Sequence, residues 1–470
     1  MMRIRKMKNT LPFDTIAAVS TPPGESGIGI VRLSGDRAVE IVRSLFSPLR
    51  KRKEDEWSRS FTMRVGLIRD GKRTIDEVLV SVMKAPHTYT REDVVEINCH
   101  GGAVAVNEVL RLVLYRGARA AEPGEFTKRA FINGRIDLAQ AEAVLDIVQA
   151  KTPRALESGV KHLRGGLSGE IVRIAEELRG LLVRLEAEID FPEEDDVSSL
   201  SSAEIERTLR TLREELSGLI KSYDTGKILK NGVLTVIAGK PNVGKSSILN
   251  AFLKFDRAIV TPIPGTTRDI IEEQLNIGGI PFILADTAGI TETDDVIERE
   301  GVRRTNSYLE KARLALIVLD SSRPLDRRDR DIAERTSSLQ SITILNKSDL
   351  PRGMDAKTLV EIGLDDDYIS MSALTGEGLK ELEERMREKI VGGKVEADHG
   401  VLVTDARHFA VLRKAARELD HALKTIREDG GPELIAFDVR SSLDILGNIT
   451  GEVTSADILN DIFGRFCIGK

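Results

Sequence analysis

The densest concentration of chemistry-bearing residues is Gly239-Lys240-Pro241-Asn242-Val243-Gly244-Lys245-Ser246, a complete G-x-x-x-x-G-K-[ST] run. Glycines let backbone N–H groups turn inward around a β-phosphate. A helix opening at Ser246-Ser247-Ile248-Leu249 adds partial positive charge from its N-terminus. Lys245 is expected to reach the β- and γ-phosphates, and the Ser246 hydroxyl to ligate Mg²⁺. Asn242, Val243, Gly244 and Ser247 complete the expected contacts. A glycine-rich turn could arise without a ligand. The strand-like run Val233 to Ala238 in front and the helix behind supply the context that favours phosphate binding.

The base is named further along. Asn346-Lys347-Ser348-Asp349 follows the apolar run Ile342 to Leu345. In this N-K-x-D arrangement the Asp349 carboxylate can accept from guanine N1–H and the exocyclic amine. Adenine has no matching pair of donors, so a buried Asp349 would be left unpaired and discriminate against ATP. Asn346 is expected to tie loops together and the stem of Lys347 to cover the base. Ser372-Ala373-Leu374 sits where a further guanine-contacting loop belongs. Alone, the N-K-x-D run reads as a polar strand-end turn; with the phosphate loop it reads as a guanine-nucleotide domain.

Hydrolysis needs more. Asp286-Thr287-Ala288-Gly289 is a D-x-x-G element, with Asp286 expected to hold Mg²⁺ through water and the Gly289 N–H to sense the γ-phosphate. The next residue, Ile290, cannot orient an attacking water, so the hydrolytic group lies elsewhere. Thr261-Pro262-Ile263-Pro264-Gly265-Thr266-Thr267 offers threonines for Mg²⁺, or is a plain Pro-Gly surface turn. The acids between Asp294 and Glu300 read by themselves as a solvated helix start.

These loops need elements to carry them. The chain has 470 residues, 41% apolar and 31% charged, enough for about three domains with solvated surfaces. Acids (75) exceed Lys plus Arg (69) by six, which argues against a binder driven by bulk positive charge. No apolar run is long enough to span a membrane and no signal peptide follows the basic start, so a cytoplasmic protein is expected. Two cysteines and six histidines without metal-ligand spacing predict neither a disulfide framework nor a zinc site.

Up to about residue 130 the pattern predicts strands at Asp14 to Val19, Gly29 to Leu33, Glu77 to Met83 and Asp93 to Asn98, with one clear helix, Ala103 to Tyr115. From Leu138 to Tyr223 an Ala/Leu/Glu/Arg-rich stretch carries apolar stripes at helical spacing (Ile171, Ile174, Leu178, Leu181, Leu185), with a second helix over Ala203 to Tyr223. Strands and helices then alternate from Gly232 to Gly392, which implies a mostly parallel sheet. Helices return at Asp405 to Arg427, Glu433 to Leu446 and Ser455 to Arg465. The expected architecture is α/β and α multidomain: an α+β N-terminal domain (1–132), a helical bundle (133–230 and 393–470) and an inserted Ras-like P-loop domain (231–392).

With these pieces assembled, the chain resembles the bacterial and organellar tRNA-modification GTPases usually called the MnmE or TrmE family. The resemblance spans nearly the whole chain. It is carried by Thr21-Pro22-Pro23-Gly24, Gly124-Glu125-Phe126-Thr127, Arg129-Ala130-Phe131, Asp137-Leu138-Ala139-Gln140-Ala141-Glu142-Ala143, Ile189-Asp190-Phe191-Pro192, the nucleotide motifs and the tail Cys467-Ile468-Gly469-Lys470. It implies a folate-binding N-terminal domain that also dimerises the protein. It implies a heterotetramer with a flavin-dependent partner, MnmG, that adds a carboxymethylaminomethyl or aminomethyl group to C5 of the wobble uridine of certain tRNAs. The one-carbon donor would be 5-formyltetrahydrofolate or a related tetrahydrofolate.

In the G domain the resemblance implies a K⁺ ion in place of an arginine finger, held by Asn242, Thr261, Ile263 and Thr266, with Mg²⁺ on Ser246 and Thr267. Glu298 is the implied positioner of the attacking water. The implied folate contacts are Arg32, Glu96, Arg135 and Lys470; Arg135 stands where some members carry Lys. Without the resemblance, Arg32 reads as a surface strand residue, Glu96 as a solvent-facing strand acid and Arg135 as a turn cation. Cys467 has two readings, a small core residue or a reactive catalytic thiol beside Lys470. Cys99 is expected in the core. His100 is a polar strand-end residue or a folate neighbour, and Arg50-Lys51-Arg52-Lys53 is a solvated loop or a tRNA contact. The competing function is a GTP-driven regulatory or ribosome-assembly switch, which would not need the first block or the tail.

Overall fold

The computed structural model describes residues 2–3, 14–50, 56–190, 201–255, 272–286, 308–355, 357–392 and 400–470. The chain forms two compact units, one of Met1–Val148, Val160–Ser217 and Ala410–Lys470, the other of Gln149–Gly159 and Gly218–Phe409.

In the first unit a short strand β1 (Met2–Arg3) pairs antiparallel with Val453–Thr454. A seven-stranded sheet is built from β2 (Ile16–Val19), β3 (Gly29–Ser34), β4 (Phe46–Pro48), β5 (Thr62–Asp70), β6 (Arg73–Met83), β7 (Val94–Cys99) and β8 (Arg119–Ala120). Its order is β4-β5-β6-β7-β3-β2-β8, antiparallel throughout except for the parallel β2–β8 pair. Val31, Leu33, Val95 and Ile97 point to one face, buried under helices Ala38–Leu45 and Ala103–Tyr115. Side chains alternate across a strand, so Arg32 and Glu96, paired across β3 and β7, stand on the other face.

Helix Ala103–Tyr115 matches the expected span, but the first block holds more of both elements than its pattern suggested, with β4, β5 and β8 added to the expected strands. Helices Ala38–Leu45 and Glu125–Ile132 join it. The helical part of this unit includes Gly166–Asp190 and Pro432–Thr450, packed along one another, and the C-terminal helix Ala456–Gly464. Helix Ser202–Asn231 continues past the expected Tyr223.

Arg129, 1% exposed, fastens the helix Glu125–Ile132. Its guanidinium donates to Asp14 Oδ1 (2.6 Å), the Asp14 carbonyl (2.9 Å), Glu125 Oε1 (3.0 Å) and Glu92 (3.2 Å). Arg119 contacts Asp14 and Glu125 at 2.6 Å each. Burial alone would raise the Asp14 and Glu125 carboxyls, but the hydrogen bonds and charges of the two arginines hold both below their ordinary values.

The second unit holds a six-stranded sheet of β9 (Val233–Ala238), β10 (Glu272–Ile277), β11 (Ile280–Asp286), β12 (Leu314–Asp320), β13 (Gln340–Asn346) and β14 (Tyr368–Ser370). The order is β10-β11-β9-β12-β13-β14, and every pair is parallel except β10–β11. Every residue of β12 is buried. Leu314, Leu316 and Val318 pack with Ile248, Phe252, Leu382 and Met386. Ile317 and Leu319 pack with Ile332, Ala333 and Leu359 on the opposite face. Helices therefore cover both faces, and the loops at the C-terminal ends of the parallel strands are left to form a site.

Candidate guanine-nucleotide site and N-terminal cluster

The phosphate loop leaves β9 at Ala238 and enters helix Lys245–Phe255. Gly244 has φ +101°, and a Cβ there would stand 2.1 Å from Asn346 Nδ2, so glycine is required by conformation and by space. Lys245 Nζ donates to the loop's own carbonyls at Gly239 (2.8 Å) and Lys240 (2.9 Å). Asn242 adopts φ +65°, and Asn242, Ser246 and Ser247 are exposed.

Asn346 ends β13 and is 2% exposed. Its Nδ2 donates to the Val243 carbonyl at 2.8 Å, and its Oδ1 accepts from the Ala373 N–H at 3.0 Å. One side chain thus joins the phosphate loop to the Ser372-Ala373-Leu374 loop. Ser372 Oγ donates to Asp349 Oδ1 at 2.5 Å, orienting the carboxylate expected to read guanine. Lys347, at φ +67°, places Nζ 2.6 Å from Asp320 Oδ2 at the end of β12. Burial would raise the Asp320 carboxyl, but Lys347 and Ser322 hold it below its ordinary value.

One brace was not anticipated. Lys240 reaches Asp329 (2.7 Å) and Asp326 (2.9 Å) at the start of helix Arg327–Thr336. Asp326 and Asp329 form a reciprocal capping box. The D-x-x-D spacing after β12 was the available signal. Burial would push the Lys240 ammonium down, yet the two carboxylates hold it above its ordinary value.

Thr261, Pro262, Ile263, Pro264, Gly265, Thr266, Thr267, Thr287, Ala288, Gly289 and Glu298 lie outside the described residues, as do Lys51 to Lys53. Asp286 ends β11.

In the first unit the predicted folate residues converge in part. Arg32 Nε donates to Glu96 Oε1 at 2.8 Å, and its Nη1 donates to the Gly469 carbonyl at 3.3 Å. The guanidinium lies 5.7 Å from the Phe126 ring centroid. Ser20 Oγ also donates to the Gly469 carbonyl (3.2 Å), and the Lys470 N–H turns back to the Cys467 carbonyl (3.4 Å). Arg32, Glu96 and the tail are therefore one cluster. Arg135 stacks over Tyr89 at 4.8 Å, and Tyr89 packs beside Phe126.

Glu96 is not a free solvent-facing acid, because Arg32 across the sheet takes one oxygen. Cys467 is exposed, which excludes the core reading for it. Cys99 is buried as expected, its thiol pushed up to about 11 by burial and by the nearby Asp76 charge. His100 is a strand-end residue paired with Asp76 at 2.7 Å. No helix of the described residues is long and apolar enough to cross a membrane.

Family models match both ends of this architecture: the N-terminus of the GTP-binding protein TrmE over residues 15–135, and the MnmE helical domain over residues 138–467. A tRNA modification GTPase MnmE of Thermoanaerobacter pseudethanolicus is 49% identical over 460 residues, covering 97% of this chain and all of that protein. Its counterpart from Geobacillus thermodenitrificans is 46% identical over 461 residues, covering 97% and 99%. Among solved structures, Era of Aquifex aeolicus bound to GDP and tetrafluoroaluminate is 26% identical over 39% of this chain and 66% of its own, with a TM-score of 0.28.

Proposed function

The chain belongs to the MnmE family of tRNA modification GTPases, and from that premise we propose that it couples GTP hydrolysis to modification at C5 of the wobble uridine of certain tRNAs. It is a GTP hydrolase of tRNA modification. The observation that carries the nucleotide assignment is Asn346, whose one amide fastens the phosphate loop to the loop that orients Asp349.

In this reading the protein dimerises through its N-terminal domain and works with the flavin-dependent MnmG as a heterotetramer in the cytoplasm. Residues 1–132 take the folate, 133–230 with 393–470 form the helical domain, and 231–392 form the G domain. Ser246 and Thr267 hold Mg²⁺, while Asn242, Thr261, Ile263 and Thr266 hold K⁺. The K⁺ ion supplies the positive charge that an arginine finger gives elsewhere. Glu298 orients water.

The folate contacts fit the cluster that exists. Glu96 keeps one oxygen without a partner among the described residues, suited to the donor edge of a pterin ring. Arg32, Lys470 and Arg135 supply cations for a glutamate tail. Cys467 is exposed at the cluster's edge, where a thiol can meet a one-carbon unit.

Replacing Na⁺ by K⁺ should accelerate GTP turnover, and Glu298→Ala should keep GTP affinity while losing turnover. Equal rates in both salts would remove potassium from the scheme. Wobble uridines fully modified in cells lacking the gene would overturn the function itself.

A further inference from the structure

Outside both sites, three ligand-type side chains converge between the antiparallel helices Ala406–Arg427 and Pro432–Thr450. The turn between them is closed by the Gly430 N–H on the Thr425 carbonyl (2.9 Å). Their register is pinned by Ser442 Oγ donating to the Ala415 carbonyl (3.2 Å), a buried bond. One turn nearer the connection, Asp438 comes level with Glu418 and His421. Those two, three residues apart, share a helix face.

A carboxylate oxygen of Glu418, a ring nitrogen of His421 and a carboxylate oxygen of Asp438 all lie within 4.8 Å of one another. Among the described residues, none of the three side chains has a hydrogen bond or ion pair outside the group. Glu418 and Asp438 are half-buried, while His421 is exposed and leaves an entry path. Burial raises the Asp438 carboxyl, the Glu418 charge adds to that, and His421 opposes it. Two acids from facing helices and one imidazole together form a mixed oxygen and nitrogen donor set.

We propose that Glu418, His421 and Asp438 form a binding site for one divalent first-row transition ion of the Zn²⁺ or Co²⁺ type. Ligand bonds to such an ion are about 2.0–2.2 Å, so donors at a tetrahedral angle stand roughly 3.4 Å apart. The observed spacing reaches that by small side-chain rotations. Imidazole selects against Mg²⁺ and Ca²⁺, which prefer all-oxygen shells. Water completes the coordination, and the ion ties the two helices together beside their turn.

The test uses the full chain, stripped with a chelator and then loaded with Mg²⁺ and GDP to fill the nucleotide site. Titration with Co²⁺, followed by its visible absorption, and with Zn²⁺ by calorimetry, should show one equivalent bound. His421→Ala and Asp438→Asn should each weaken binding at least about tenfold, with Cys467→Ser binding like wild type. Zn²⁺ should also raise the melting temperature of wild type more than that of either variant. His421 is exposed, so its replacement leaves the fold intact. No binding below millimolar metal, equal binding by wild type and both helix variants, or loss of binding in Cys467→Ser would each overturn the proposal.

Discussion

Replacing Asn346 by alanine should damage nucleotide binding even though no role in catalysis is assigned to its side chain. The change removes two hydrogen bonds from a residue only 2% exposed, leaving the Val243 carbonyl and the Ala373 N–H without their partner. A buried polar group left unpaired costs about 1–3 kcal/mol. The vacated amide leaves room for water, which keeps the total near the lower limit, about 2 kcal/mol for the pair. Where the empty variant relaxes and must rebuild the arrangement to bind, the whole cost falls on affinity, which at 1.4 kcal/mol per decade is roughly thirtyfold weaker GDP binding at most. Ser372→Ala provides an internal scale: it loses the single hydrogen bond to Asp349, about 1 kcal/mol, and should weaken GDP about fivefold. Titration with a fluorescent GDP analogue, displaced by GDP and by ADP, measures both. Asn346→Ala binding GDP within threefold of wild type, with an intact circular-dichroism spectrum, would show that the two loops hold their positions without this amide.

Three further outcomes follow from the first unit. Gly469→Ala should release the tail, because φ is +96° and a Cβ would stand 2.2 Å from the Val19 carbonyl; carboxypeptidase should then remove Lys470 several-fold faster, and an unchanged rate would contradict the docking. At pH 8 a thiol reagent should label Cys467 quickly and Cys99 only after unfolding, since Cys99 is buried with its thiol near 11. Asp14 and Glu125 have folded-state values below the ordinary 3.8 and 4.5, so their stabilisation is present above that range and lost as pH falls through the lower folded values. Melting temperature should therefore drop below about pH 4, less steeply in Arg119→Gln, which removes ion pairs to both acids; identical slopes would rule out this network as the cause.

The legible parts of the fold were those with a period or a fixed motif. Val233–Ala238 and Ala103–Tyr115 match the expected spans, because an unbroken apolar run and a three-to-four spacing are local signals. β10 and β14 went unread, since Glu272–Ile277 is an edge strand with polar residues and Tyr368–Ser370 has only three residues. The short helices Ala38–Leu45 and Glu125–Ile132 were equally hidden. The latter is held by Arg129 and its acids, contacts spanning more than a hundred residues of sequence that no local pattern encodes. At the expected nucleotide site the motifs singled out Lys245, Asn346 and Asp349. They did not name the braces: Lys240 occupies a variable position of its motif, and its partners Asp326 and Asp329 lie on a helix the motif does not include.

Under the proposed nucleotide assignment, those braces link base reading to phosphate geometry. β9, β12 and β13 are neighbouring parallel strands, with Ala238 opposite Ile317 and Asp320 opposite Asn346. Each contributes a restraint at the same end of the sheet. The loop after β9 is held through Lys240 by the helix that follows β12, and through Val243 by the last residue of β13. Lys347, next along from β13, closes the circuit on Asp320 of β12. A shift at the guanine loop must therefore move Asn346, and Asn346 cannot move without releasing the Val243 carbonyl beside Gly244 and Lys245. Tightly packed, hydrogen-bonded loops of this kind respond in discrete steps and not by gradual bending. If Asp349 reads guanine as proposed, an ill-fitting base is disfavoured twice, once by the unpaired Asp349 and once by the disturbed phosphate loop, so its penalty should exceed the loss of the Asp349 contact alone.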